Sequence, residues 1–149
     1  MKIYVGIDPG KSGALAVIYP NGNIDTYPFN PDEYADVLCG LRLNVDYDIM
    51  CCLEKVGAMP GQGVVSMFNF GHNLGFIEGL LKANEIPYQL VPPQTWKKEF
   101  SLSGDKSKSI DVCKKLFPKV NLLATQRSKK PSDGIAEAIL MAEYARRKL

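Results

Sequence analysis

Residues 1–16, MKIYVGIDPGKSGALA, decide the reading of this chain. Ile3, Val5 and Ile7 sit in an apolar run that stops at Asp8, and Pro9-Gly10 with Gly13 follow at once, the pattern of a buried strand entering a turn. Asp8 is therefore a carboxylate at a strand end. A carboxylate there is costly to bury alone, so it is exposed at the sheet's edge, paired, or neutralised by a metal. Taken alone, the stretch is explained equally well by a plain turn aspartate.

Outward from this stretch, residues 14–19 (ALAVIY) form a second strand, Pro20-Asn21-Gly22-Asn23 a hairpin turn and residues 24–27 a third strand, an antiparallel meander. A helix follows from Pro31 to Leu41, with proline at its start and Asp32 and Glu33 in the first turn, where the helix dipole favours acids. Residues 48–53 (DIMCCL) read as a continuous apolar strand, of the kind buried on both faces. That strand ends on Glu54. A second carboxylate thus arrives at the C-terminal edge of a strand, where open α/β sheets place their sites.

Residues 57–64 are a glycine-rich loop leading into a helix over 65–83, in which Gly71, Gly75 and Gly79 recur every four residues. Each glycine costs up to about 1 kcal/mol relative to alanine. The stripe predicts another backbone in close approach, from the sheet or from a second subunit. The lone His72 beside it reads as a hydrogen-bonded or surface histidine rather than a metal ligand. Residues 87–91 form a short strand, and 94–100 a short helical segment holding the sole Trp96 with Lys97 and Lys98. An amphipathic helix spans 106–117, with Ile110, Cys113, Leu116 and Phe117 inward and Lys106, Lys108, Lys114 and Lys115 outside. The last helix, 132–149, is capped by Ser132-Asp133, and the four-residue spacing of Asp133 and Glu137 projects both from one face. Gly134, Ala136 and Ala138 between and beyond them suit close packing on a sheet.

Length of 149 residues, 46% hydrophobic and 23% charged, fits one domain spanning 1–149 with a full core. No signal peptide or membrane-spanning stretch is expected, which points to the cytoplasm. Cys39, Cys51, Cys52 and Cys113 lack metal-ligand spacing and read as reduced core or half-buried residues. The net charge of +2 hides an asymmetry: residues 1–93 carry five Lys/Arg against ten Asp/Glu, net −5, and residues 94–149 carry thirteen against six, net +7. A basic C-terminal third suggests a polyanion met from one side, with nucleic acid the commonest case.

One acid ends the first strand, one ends the fourth, and one or two open the last helix. Phosphodiester hydrolysis uses such a set, carboxylates holding two Mg²⁺ about 3.5–4 Å apart that activate water and stabilise the leaving oxygen. Oxygen donors suit Mg²⁺ or Mn²⁺, and the lack of His/Cys clusters argues against zinc.

The segments IYVGIDPGKSGALAVI, LEKVGAMP, PPQTWKK, DKSKSI and SDGIAEAILMAEY, in this order along nearly the whole chain, resemble the motifs of RuvC-type Holliday junction resolvases, in particular the compact bacteriophage-encoded branch. The resemblance implies an α/β ribonuclease H-like fold, a mixed five-stranded sheet of an antiparallel meander plus two parallel strands flanked by helices. It also implies a Mg²⁺-dependent homodimer that nicks four-way DNA junctions symmetrically, leaving 5′-phosphate and 3′-hydroxyl ends. By position, Asp8 and Glu54 match the family's first two metal-binding acids, and Asp133 and Glu137 fall where it has its last acidic pair. That pair is often two aspartates three apart, so the match leaves open which of the two binds metal. Lys97, and Lys106 or Lys108, match basic residues used on the DNA backbone. Gly57 stands where cellular relatives carry an aromatic residue that stacks on a junction base, so strong sequence preference does not carry over; Met59 or Phe68 are the nearby substitutes. The alternatives are a broader nuclease for flaps, Y-junctions or bubbles, a junction-binding protein without catalysis, and an actin-like phosphotransferase half. The last requires a second ribonuclease H-like domain that this length does not supply.

Overall fold

The structure is a computed structural model describing residues 1–103 and 105–149, with the backbone alone at Lys106. In chain order its elements are β1 (Lys2–Ile7), β2 (Ala14–Ile18), β3 (Ile24–Pro28), α1 (Pro31–Leu43), β4 (Asp48–Glu54), α2 (Val64–Ala83), β5 (Tyr88–Val91), α3 (Pro93–Glu99), α4 (Lys106–Leu116) and α5 (Asp133–Lys148). The five strands make one sheet in the order β3-β2-β1-β4-β5. β1, β2 and β3 pair antiparallel, while β4 runs parallel to β1 and β5 parallel to β4. The mixed sheet expected from the sequence is the observed one.

Both faces of the sheet are covered, and the two-residue period of a strand sorts its side chains between them. Ile3, Val5 and Ile7 of β1 and Ile49, Cys51 and Leu53 of β4 pack with Tyr34 and Leu38 of α1 and Ile77 and Leu81 of α2. The alternate residues face α3, α4 and α5, where Cys52 joins Trp96, Cys113, Ile135, Ile139 and Met141. Glu54 follows the parity of Met50 and Cys52 and so belongs to the α5 side. The β1–β4 register pairs Ile7 with Leu53, so the next residues along, Asp8 just past β1 and Glu54 at the end of β4, stand side by side at the sheet's edge.

Gly6 explains how close α5 comes. A Cβ there would overlap the Ala138 carbonyl oxygen and the Ala142 amide nitrogen, so the helix lies directly on the strand. Ala136, Ala138 and Ala142 are fully buried, and Glu137 between them is only 7% exposed, although an acid at a helix position is more commonly a surface residue.

One alternative is excluded and two expectations need correction. Among the described residues, nothing beyond the helix's own backbone comes within 4 Å of a Cβ built at Gly71, Gly75 or Gly79, so the stripe does not face the sheet and a second subunit is the neighbour left open. Cys39 is exposed rather than half-buried, because it falls on the outer face of α1, whereas Cys51, Cys52 and Cys113 are buried and all four are free thiols. Leu116 is 39% exposed, since α4 ends there and the chain turns at Phe117 before closing over it. His72 is exposed and stacks on Phe68, with ring centroids 6.4 Å apart, as a surface histidine. Among the described residues, no helix is long and apolar enough to cross a membrane.

Candidate functional site

Asp8 is both a turn residue and an edge carboxylate. Its amide donates to the Ala14 carbonyl at 3.0 Å, continuing the hairpin, while its own Oδ1 accepts from the Gly10 amide at 3.1 Å. The Gly10 amide exists because glycine, not a second proline, follows Pro9. Gly13 is required by contact: a Cβ there would overlap the Asp8 carbonyl oxygen and crowd the Asp8 carboxyl carbon at 2.9 Å. Gly134 is required in the same way, since a Cβ there would overlap the Ser12 carbonyl oxygen. Two glycines therefore bring the start of α5, and Asp133 with it, against the turn that carries Asp8. Ser132 caps that helix, its hydroxyl accepting from the Ile135 amide at 3.2 Å.

Glu54 is the last residue of β4, opposite Val91 of β5. Just past Val91, Pro92 caps α3 and Pro93 opens it, and the first turn of this helix folds the chain back over the strand end. That return places the buried Trp96 indole N–H on Glu54 Oε2 at 2.8 Å. The next residue, Lys97, lies over the Trp96 ring at 5.5 Å and puts its Nζ 3.8 Å from Glu137 Oε1.

The electrostatics tie three of the acids together. Burial pushes the Glu54 carboxyl up to about 7, and the neighbouring charges of Asp8 and Glu137 push in the same direction, against the Trp96 hydrogen bond and Lys97, which pull it down. Asp8, Glu54 and Glu137 therefore share one electrostatic site. Asp133 stands at the same end of α5, one helical turn before Glu137. Lys108 donates to Ser103 Oγ at 3.1 Å on the exposed side of α4, and the side chain of Lys106 lies outside the described residues.

Among the described residues, no three His, Cys, Asp or Glu side chains are already drawn together closely enough to hold a metal ion. The donor chemistry fits a hard divalent cation all the same: the set is carboxylate oxygen only, and burial first and then the charges of Asp8 and Glu137 raise Glu54, a repulsion between carboxylates that a divalent cation relieves.

Trp96 joins the site although its place in the sequence assigns it no role. Its signal was available, since a buried tryptophan N–H needs an acceptor and this one follows the strand that pairs with Glu54. Phe70 also borders the turn: its ring edge comes within 4.0 Å of a Cβ built at Gly10, a point 3.4 Å from Asp8 Oδ1. Gly57, Met59 and Phe68 are exposed, on the loop and helix that follow Glu54.

No protein-family model matches the chain, and no curated protein sequence does. Solved structures do match. A Thermus thermophilus RuvC in complex with Holliday junction substrate superposes with a TM-score of 0.65 at 13% identity, covering 99% of this chain and 97% of that one. A second Thermus thermophilus RuvC structure gives 0.58 at 15% identity over 97% and 96%. The yeast mitochondrial Holliday junction resolvase Ydc2 gives 0.53 at 15% identity over 96% of this chain and 77% of that one. At these identities the likeness speaks for architecture, and with strand order β3-β2-β1-β4-β5 under flanking helices the fold is a RuvC-like ribonuclease H fold.

Proposed function

We propose that the chain is a structure-selective DNA endonuclease, a single nuclease domain that resolves four-way junctions by paired, metal-dependent nicks leaving 5′-phosphate and 3′-hydroxyl ends. The observation that carries the reading is the shared electrostatic site of Asp8, Glu54 and Glu137, reached from two parallel strand ends and one helix. The fold's likeness to resolvases, one of them solved with its junction, and the basic C-terminal third support it.

Asp8, Glu54, Asp133 and Glu137 are the residues that would hold Mg²⁺, or Mn²⁺. When bound, a pair of such ions supplies an activated water and charge stabilisation at the leaving oxygen. Asp8, fixed by the Gly10 amide, and Glu54, fixed by Trp96, present their carboxylates at the edge of the sheet. Lys97 neutralises Glu137 until substrate arrives and then meets the phosphate backbone, with Lys106 and Lys108 as further backbone contacts. The chain acts as a homodimer of the compact bacteriophage-encoded kind, in the cytoplasm of the host cell. The second copy packs on the glycine stripe of α2, which lies open beside exposed Val64, Val65 and Phe68.

The test is nicking of an immobile four-way junction, a flap and a linear duplex by wild type, Asp8→Asn and Glu54→Gln. Paired nicks on the junction with Mg²⁺, strongly lowered by either variant, are expected. Equal cutting by all three proteins overturns the site, and tight junction binding without product in any metal makes the protein a binder. A second reading, a broader branched-DNA nuclease, is favoured by the exposed Gly57, where no aromatic ring is available to stack; equal cutting of flap and junction would select it.

A further inference from the structure

Trp96 is the chain's only tryptophan and is fully buried, yet its N–H is directed at a carboxylate from another element rather than at a backbone carbonyl. Resting on the metal site proposed above, we propose that Trp96 is a positioning residue for it, fixing the carboxylate of Glu54 through Oε2 so that the group is oriented before a cation binds. A ring at this position needs no N–H to pack in the core between α3, β4 and α5; phenylalanine, though smaller, supplies an apolar ring without the donor. The donor distinguishes tryptophan, and it serves one acceptor, a group only 8% exposed. A buried carboxylate tethered at one oxygen loses rotation about its last bond, so less ordering is left for the ion to impose. The same short helix places Lys97 on Glu137, so α3 addresses two of the proposed ligands from adjacent residues.

The single tryptophan makes the test direct. In ¹⁵N-labelled wild type without DNA, the one indole N–H resonance is followed through a Mg²⁺ titration, with calorimetry on the same sample. A saturable shift with the calorimetric midpoint is expected. Trp96→Phe, which keeps a ring and removes the donor, should weaken Mg²⁺ binding about 10- to 100-fold. Heat of binding with a stationary resonance, or unchanged affinity in a folded Trp96→Phe, overturns the positioning role and leaves the metal site standing. Absence of any binding heat in wild type overturns both. If Trp96→Phe does not fold, the wild-type titration decides alone.

Discussion

Glu54 sits in an unfavourable place for a carboxylate, and the metal-free protein should show it. Unfolded, it titrates near 4.5; folded, burial first and then the charges of Asp8 and Glu137 carry it to about 7. Between those values the folded state holds a proton that the unfolded state has released, so stability falls as pH rises through this window. The loss amounts to at most about 3 kcal/mol. Urea unfolding in chelator at about pH 5 and pH 8 checks it, and Glu54→Gln, which can still accept from Trp96, should flatten the dependence and stabilise the protein at the higher pH. Gly6 gives a prediction of opposite kind. Gly6→Ala drives a methyl into the backbone of α5 at Ala138 and Ala142, which cannot retreat as a flexible side chain would. A loss of about 3 kcal/mol or more, read as a lowered denaturation midpoint, is expected.

Among the elements, α2 leaves the surface of its first turns uncovered by the described residues. Ile77 and Leu81 anchor its C-terminal half to the sheet, while Val64, Val65 and Phe68 of the first turns are 73–84% exposed. In a free helix, Gly→Ala at 71, 75 and 79 would stabilise by roughly 0.5–1 kcal/mol per site, because open space surrounds each. If a second copy packs there, the same methyls block it. The triple variant should therefore be a better folded monomer: sedimentation at micromolar concentration should show a dimer for wild type and a monomer for the variant, and a monomeric wild type removes the interface. α3 and α5 show the contrary economy, short or tightly packed elements that carry Trp96, Lys97, Asp133 and Glu137 to the edge where β1 and β4 end.

At the scale of the molecule, the charge asymmetry sets how DNA binding should respond to salt. With residues 94–149 at net +7, contact with about six phosphates would cost roughly 10³-fold in affinity between 50 and 200 mM salt. Fluorescence anisotropy on the Asp8→Asn protein, which the proposed site predicts to be inactive, measures this, and a flat salt response would exclude the basic third as the DNA-facing side. The sequence by itself determined the strands, because apolar runs of period two broken by Pro-Gly and Asn-Gly turns depend on local chemistry. It also determined that Asp8 and Glu54 end their strands, and that Asp133 and Glu137 share a helix face, since spacing along one element is a local property. Which acids share an environment was decided only by tertiary structure: the Ile7–Leu53 register sets Asp8 beside Glu54, and the absent Cβ of Gly6 lets α5 bring Glu137 to them. The fate of the glycine stripe was decided there too, because the spacing of Gly71, Gly75 and Gly79 marks a face without saying what covers it, and only packing shows that the described residues leave it open.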